Sequence, residues 1–290
     1  MRFNQDGGRA VRLAYVILAH QLPEQLIRLV RRLDGPDTTF LVHVDRRADD
    51  AILAAARAEL AQPNVTFLPR IRCHWGTWSI VEATLSGIRH AVHADVRFDY
   101  LMLMSGQDYP IKPRAEIETT LEQAEGRSFV HHVPLPKPDW PNSLGRVERW
   151  HYPPGRGNRL LERARNRWSV PRRAPSGLAL HGGAQLCSMS SEAAQYVDDF
   201  TARNPEVVRF FHHVHVPDEM YFQTVLASSP LRDKLICDGL HFLEWLRPGH
   251  VLVEEDLDAL AATYYPFARK FDLRVDGKVL DLIDQQLLAG

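Results

Sequence analysis

Two adjacent acids offer the clearest chemistry in the sequence. Asp218 and Glu219 follow Pro217, and the apolar residues from Met220 onward are spaced like those of a helix that packs into a core. Proline suits the first turn of a helix, where acidic side chains face the positive end of the helix dipole. A carboxylate held there on rigid backbone is well placed to act as a general base. An ordinary capped helix start would have the same pattern.

A histidine cluster precedes these acids and offers a second chemistry. His213 and His215 would share one face of a strand, and together with Asp218 they could bind zinc or iron. A metal-dependent hydrolase is therefore one alternative function. The sequence has no second metal motif such as His-Glu-x-x-His, so surface or capping histidines are the default expectation and no metal is predicted.

The segment 134–177 is rich in proline, glycine and arginine, with nine arginines between Arg146 and Arg173 against two acids. Arginines neutralise phosphates, and aromatic residues such as Trp150 stack on bases as readily as on sugar rings. The formal net charge of the whole chain is only -1, which gives no general attraction to nucleic acid. We therefore expect an acceptor or anionic-glycan surface here and no nucleic-acid partner.

The elements that must position these residues alternate in the first half of the chain. Apolar, β-rich runs are predicted to form strands at residues 12–19, 39–45, 64–68 and 100–104, with helices between them at 22–33, 49–60 and 77–93. Such an order implies an α/β fold with a mostly parallel sheet and helices on both sides. Ligands of these sheets bind beyond the carboxyl ends of the strands, where Asp45 and Asp108 fall. Asp108 is expected to fix a tight turn.

In the second half, the pattern predicts a helix at 190–203, strands near 235–237 and 250–253, and helices at 255–263 and 278–288. Three widely spaced cysteines fit buried thiols in a reducing compartment better than a disulfide framework, so a cytoplasmic location is expected.

Seven segments in a fixed order carry a resemblance to a known family: AYVILAHQ (14–21), FLVHVDRRAD (40–49), WGTWSIVEATL (75–85), YLMLMSGQDYPIKPRAEI (100–117), GGAQLCSMSSEAAQYV (182–197), VPDEMYFQTVL (216–226) and FARKFDL (267–273). The chain resembles the core-2/I-branching β-1,6-N-acetylglucosaminyltransferases and the protein O-xylosyltransferases of glycosyltransferase family 14, and it looks like a bacterial-type member. The resemblance implies one GT-A-like domain over residues 1–290, with a Rossmann-like central sheet. Residues 12–125 would then bind the nucleotide sugar, and residues 126–290 would bind the acceptor and supply the base.

The resemblance also implies individual roles. Glu219 falls on the catalytic base of the family, and Asp45 on the acid near the uridine and its ribose. Trp75 falls on an aromatic residue beside the uracil, while Arg247 and Lys270 match two basic residues that neutralise the diphosphate. The stretch that contains Arg146, Glu148, Arg149 and Trp150 resembles an acceptor-contacting segment.

The residues themselves leave alternatives open. Trp75 could pack in the core, Asp45 could simply end its strand, and Arg247 could be a solvated loop residue. Arg269 could point inward in place of Lys270. An Asp-x-Asp motif, used by metal-dependent members of this fold class, is missing after the second strand, so fixed cations are the better candidates for stabilising a departing diphosphate.

We therefore expect an inverting, metal-independent glycosyltransferase without a cofactor that uses a UDP-sugar, with N-acetylglucosamine first and xylose second. The expected acceptor is a glycan, either a surface polysaccharide or a glycolipid precursor, and a lipid-linked acceptor would bring the enzyme to the inner membrane as a peripheral protein. A protein O-xylosyltransferase-like enzyme and a non-catalytic UDP-sugar-binding protein are further alternatives. The sequence does not indicate an oligomeric state.

Overall fold

The computed structural model describes residues 10–94, 96–138, 140, 143–152, 158–168, 171–243 and 249–289. The strands in these ranges are β1 Leu13–Ala19, β2 Thr38–Val44, β3 Val65–Phe67, β4 Tyr100–Ser105, β5 Asp108–Pro110, β6 Ser128–Val130, β7 Val133–Pro134, β8 His181–Gly182, β9 Cys187–Ser190, β10 Leu235–Ile236, β11 His241–Leu243 and β12 Phe267–Arg269.

The α-helices are α1 Pro23–Leu33, α2 Asp50–Glu59, α3 Trp78–His93, α4 Arg114–Gln123, α5 Gly145–Glu148, α6 Asn158–Trp168, α7 Ser191–Arg203, α8 Pro205–Phe211, α9 Tyr221–Ala227, α10 Leu257–Ala262 and α11 Lys278–Leu282. Short 3₁₀ turns occur at Pro217–Glu219, Arg232–Lys234 and Glu254–Asp256, and a π-helical turn at Ile283–Leu287 follows α11. None of the helices in the described part of the chain is long and apolar enough to cross a membrane.

The main sheet has seven strands in the order β10-β6-β9-β4-β1-β2-β3. Strand β1 runs parallel to β2 and β4, β2 runs parallel to β3, and β10 runs parallel to β6. Only β9 is antiparallel to its neighbours in this sheet, β4 and β6. The predicted α/β fold with a mostly parallel central sheet is therefore confirmed.

Helices cover both faces of this sheet. Successive residues of β1 point to opposite faces, so they pack in different apolar clusters. Tyr15 and Ile17 belong to one apolar cluster, which includes residues of α1, α2, α4 and α11. Val16 belongs to the other cluster, with residues of α3, α7 and α9. Helix α3 approaches β1 closely at Gly87, where an added Cβ would lie 2.5 Å from a methyl carbon of Val16.

Two predictions about the second half were wrong. The two acids do not begin a helix: they lie in the three-residue 3₁₀ turn Pro217–Glu219, and α9 starts only at Tyr221. Residues 250–253 form no strand, although Leu252 donates one backbone hydrogen bond to the carbonyl of Lys270. The strands in this region are β11 and β12, which are parallel to each other and join the antiparallel β5 in a separate small sheet.

Candidate active site

A cleft of about 590 Å³ lies beyond the carboxyl ends of β1, β2 and β4. Six of the residues that line it were considered as site residues from the sequence: Asp45, Trp75, Asp218, Glu219, Arg269 and Lys270. A second hollow of about 650 Å³ beside α2 and β3 contains none of the predicted site residues. The smaller cleft is therefore the candidate active site.

Asp45 follows β2 directly and is held by the turn that it begins. Its Oδ1 atom accepts hydrogen bonds from the backbone N–H of Arg47 at 2.8 Å and of Cys73 at 3.1 Å. Its own N–H donates to the carbonyl of Ala19 at the end of β1. Asp45 does end its strand and shape a turn, and it also lines the cleft.

The loop between β3 and α3 carries Trp75 to the rim of the cleft. Trp75 is 76% exposed, so it is not a core residue, and its ring lies edge-on to His215 with centroids 5.7 Å apart. The next residue, Gly76, has φ +73°, a left-handed conformation that favours glycine. The carbonyl of Gly76 accepts the N–H of Val216, which ties this loop to the turn that carries the two acids.

Two residues of the lining, His43 and Cys73, were missed in the sequence. Burial lowers the pKa of His43, so its neutral imidazole accepts the N–H of Ile71 through Nε2 at 2.9 Å. Burial raises the pKa of Cys73 to about 12, so its thiol stays protonated. His43 is the second-last residue of β2. Its place near the carboxyl end of a strand was the one feature of the sequence that indicated a role in holding the loop with Trp75.

The turn with the two acids is strained at its first residue. Val216 has φ 54°, which is costly for a β-branched side chain, and it precedes Pro217. On the other side of the turn, the carbonyl of Glu219 accepts the N–H of Gly183 at 2.8 Å. The turn is thus fixed by backbone hydrogen bonds to two different loops.

The two acids have opposite environments. Asp218 is 5% exposed, and its Oδ1 has no hydrogen-bond partner among the described residues. Burial, together with the nearby charge of Glu219, raises the pKa of Asp218 to about 7. The side chain of Glu219 is 36% exposed, and its Oε2 accepts a hydrogen bond from the guanidinium of Arg146 at 2.7 Å. Glu219 is therefore the acid that a ligand in the cleft can reach.

Arg146 was predicted to contact the acceptor, and the structure places it against Glu219. Its guanidinium also lies 4.6 Å from the ring centroid of Trp140. Trp140 in turn packs on Gly182, where an added Cβ would lie 2.5 Å from the indole ring. Arg146 is thus fixed by an aromatic residue on one side and an acid on the other.

None of the four predicted acceptor residues, Arg146, Glu148, Arg149 and Trp150, is among the residues that line the cleft. Glu148 and Arg149 are exposed at the surface. Trp150 packs against His213, with ring centroids 5.1 Å apart, and lies under the guanidinium of Arg172. Arg172 donates to the carbonyl of His213 at 2.8 Å, so this region is held by packing and by hydrogen bonds to main-chain oxygens.

Two basic residues at the end of β12 also line the cleft: Arg269, the last residue of the strand, and Lys270, which follows it. Arg269 donates to Asp108 at 2.8 Å, and Asp108, which is fully buried, also accepts the N–H of Ser105. Asp108 therefore has the structural role that was expected for it. Arg269 and Lys270 both line the cleft, so neither replaces the other as the basic residue of the site. Arg247 lies outside the described residues.

The alternative metal site would combine His213, His215 and Asp218. Within the described residues, no cluster of three or more His, Cys, Asp or Glu side chains is arranged to hold a metal ion. His215 packs on His151 with ring centroids 4.8 Å apart, and Nδ1 of His213 lies 3.1 Å from the carbonyl of His151. The hydrolase alternative therefore lacks its metal centre in this part of the chain.

The fold and the cleft define an α/β protein of the GT-A-like glycosyltransferase type, with its ligand site beyond the ends of parallel strands. Residues 13–257 match the family model described as Core-2/I-Branching enzyme. The match covers most of the chain, so the chain belongs to this family of glycosyltransferases, and the resemblance found in the sequence is confirmed.

Several curated proteins are similar over almost the whole chain. Xylosyltransferase 1 of Homo sapiens is 25% identical over an alignment of 308 positions, which covers 97% of this chain and 31% of that protein. Xylosyltransferase 2 of Rattus norvegicus is 26% identical over an alignment of 313 positions, which covers 98% of this chain and 34% of that protein. Xylosyltransferase oxt of Drosophila melanogaster is 24% identical, and the alignment covers 96% of this chain and 34% of that protein. The chain thus spans about a third of the length of these relatives.

Proposed function

We propose that this chain transfers a sugar from a UDP-sugar to a hydroxyl group of a glycan acceptor, with inversion and without a metal. One observation carries the proposal: an accessible acid, Glu219, and a lysine, Lys270, line the same cleft as Asp45 and Trp75. Inverting transfer requires a base on one side of the reacting carbon and a stabiliser of the departing diphosphate on the other.

In the proposed reaction, Glu219 removes the proton from the acceptor hydroxyl as its oxygen attacks the anomeric carbon. The bond from that carbon to the diphosphate oxygen breaks, and UDP leaves with the electron pair. Lys270 stabilises the charge that develops on the diphosphate, and we assign the same role to Arg247 on the basis of the family resemblance. No cofactor takes part in this scheme.

The uridine is assigned to the end of the cleft formed by Asp45 and Trp75. The second carboxylate oxygen of Asp45 is available as an acceptor, since Oδ1 already holds two backbone N–H groups. The exposed indole of Trp75 can stack on a base. Arg146 lies beside Glu219, and this position supports a role at the acceptor end. For Glu148, Arg149 and Trp150 an acceptor role rests on the resemblance alone.

The donor sugar is either N-acetylglucosamine, which the sequence analysis ranks first, or xylose, which the names of the similar proteins support. We propose a surface polysaccharide or glycolipid precursor as the acceptor, made in the cytoplasm by an enzyme that binds peripherally to a membrane.

A donor screen tests the proposal. The purified chain is incubated with UDP-N-acetylglucosamine, UDP-xylose or UDP-glucose, and released UDP is measured with and without EDTA. Hydrolysis or transfer with one donor, unchanged by EDTA, is the expected result. Activity that vanishes in EDTA and returns with manganese contradicts the metal-free mechanism. UDP binding without release from any donor would instead identify a non-catalytic sugar-nucleotide-binding protein.

A further inference from the structure

Helix α6 exposes an apolar face that the proposed reaction does not use. Leu160 is 70% exposed, Leu161 63% and Trp168 82%. At 3.6 residues per turn these three side chains lie on one side of the helix, and the exposed Ala164 lies between them. Of the six large, exposed apolar residues in the described chain, three belong to this 11-residue helix.

Single exposed apolar residues are common on protein surfaces, whereas a contiguous apolar face indicates an interaction site. Three arginines of α6 border this face. By helical spacing, Arg163 and Arg167 lie along one edge and Arg165 along the other, and all three are exposed. The net charge of the chain is only -1, so this basic border is a local feature.

Contacts on the other side of α6 fix which face points outward. Glu162, the acid of this helix, pairs with Nδ1 of His151 at 3.0 Å. Arg165 donates to the hydroxyl of Tyr152, and its guanidinium lies 5.6 Å from the ring centroid of Trp150. The acid therefore faces the protein body, and the exposed side combines apolar residues with positive charge.

We propose that this face of α6 binds the surface of an anionic phospholipid membrane. Leu160, Leu161 and Trp168 would enter the boundary between headgroups and acyl chains, where tryptophan is favoured, and Arg163 and Arg167 would contact the anionic headgroups. A helix of 11 residues is too short to span a bilayer, so it lies in the plane of the interface.

The position of α6 also connects this surface with the cleft. His151, the partner of Glu162, packs on His215, and His215 packs on Trp75 at the rim. Membrane binding through α6 would hold the cleft next to the lipid surface. This step rests on the proposed function, because it serves an acceptor that is itself linked to a lipid.

Vesicle co-sedimentation of the full chain tests the proposal, without donor or acceptor, so its outcome is independent of the proposed activity. Phosphatidylcholine vesicles are compared with vesicles that also contain phosphatidylglycerol. We expect binding to the anionic vesicles that weakens in high salt. Trp168→Ser should lower the partition coefficient at least about tenfold. In the double variant Arg163→Glu/Arg167→Glu, each charge reversal should lower the partition coefficient about fivefold or more.

Matched controls are Val275→Ser and Arg203→Glu, which alter an exposed apolar residue and an exposed arginine on other elements. Both should bind vesicles like the unmodified chain. Trp168→Phe should keep its binding but lose the blue shift in tryptophan emission that accompanies insertion of Trp168. All of the substituted side chains are exposed, so circular dichroism should show unchanged folding.

Three results would overturn the proposal. One is absence of binding to the anionic vesicles. Another is vesicle binding that is reduced by the charge reversals but not by Trp168→Ser. That result would make α6 a general site for polyanions, for example nucleic acid. The third is a concentration-dependent dimer that is lost in Trp168→Ser and forms without vesicles, because the apolar face would then be covered by a second copy of the chain.

Discussion

The two walls of the cleft hold their carboxylates in different ways. One wall, formed by His43, Asp45, Cys73 and Trp75, is the one to which we assign the uridine, and we call it the nucleotide wall. There, the Asp45 carboxylate is fixed by two backbone N–H groups. In the acid wall, formed by Asp218 and Glu219, Glu219 is held by the guanidinium of Arg146, and Asp218 is buried with an oxygen that lacks a described partner.

This difference indicates different tasks. A wall whose polar groups are already satisfied by backbone changes little when a ligand arrives, so its residues should contribute mainly to affinity. The acid wall contains Asp218, whose pKa is raised by burial, and perturbed pKa values are common where a proton moves during a reaction. Substitution of Glu219, the accessible acid of the acid wall, should therefore change turnover, and substitutions in the nucleotide wall should change UDP binding.

The largest effect is expected for Glu219→Gln. Glutamine keeps the size of the side chain and an oxygen that accepts from Arg146, but it cannot take up the acceptor proton. Losing a positioned base lowers rates by about 10²–10⁴. The measurements are initial rates of transfer and calorimetric titration with UDP, and UDP affinity should stay nearly unchanged.

The control for this variant is Glu122→Gln, at an exposed position on α4. Transfer by Glu219→Gln at close to the normal rate would remove Glu219 from the mechanism. If Asp218→Asn were the variant that abolishes transfer, the adjacent acid would be the base.

Lys270→Ala should have the next largest effect, and it should change both transfer and UDP binding. Arg269 is already paired with Asp108, whereas Lys270 forms no ion pair with a described acid. A charge-assisted hydrogen bond contributes about 1.5–3 kcal/mol, so transfer should slow by about tenfold to a hundredfold and UDP should bind more weakly. Rates and UDP titrations are compared with those of Lys278→Ala, an exposed lysine at the start of α11. Equal values for the two variants would exclude Lys270 from the diphosphate site.

Asp45→Asn tests the role of the nucleotide wall. Asparagine can keep the Oδ1 acceptor for the N–H groups of Arg47 and Cys73, so the turn should be preserved. The change removes the negative charge and the second acceptor. UDP affinity should fall about tenfold, the loss expected for one hydrogen bond to a charged group, while kcat changes little. A lowered kcat with normal UDP affinity would place Asp45 with the acid wall.

The sequence predicted the first half of the fold closely, because its signals there are local. Strands β1, β2 and β4 have six or seven residues, enough for a β-rich run to be recognised, and α1 shows helical periodicity. Strands such as β8, β11 and β12 have only two or three residues. Elements of that length are defined by their partners and carry no periodicity of their own, which is why β12 was missed.

For the site, the sequence identified several of the residue types that line the cleft but not their partners. The pairing of Arg146 with Glu219 joins residues 73 positions apart, so no local pattern indicates it. The strained 3₁₀ turn was also hidden, because Pro-Asp-Glu before an apolar run is equally typical of a helix start. The strain becomes visible only when Val216 is tied to Gly76 on another loop.

The smallest effect is expected for Asp218→Asn, and it concerns stability rather than turnover. Burial raises the pKa of Asp218 to about 7 from an ordinary value of 3.8, so the folded state holds a proton that the unfolded state has already released. This contribution to the free energy of unfolding is complete below the ordinary pKa and is lost as the pH rises through 7. Between pH 6 and pH 8 the protein should lose about 1 kcal/mol that Asp218→Asn does not lose. Urea unfolding of both proteins at the two pH values measures the difference. Equal pH slopes would show that Asp218 is already ionised in the folded protein, and the contrast between the two walls would then rest on Glu219 and Arg146 alone.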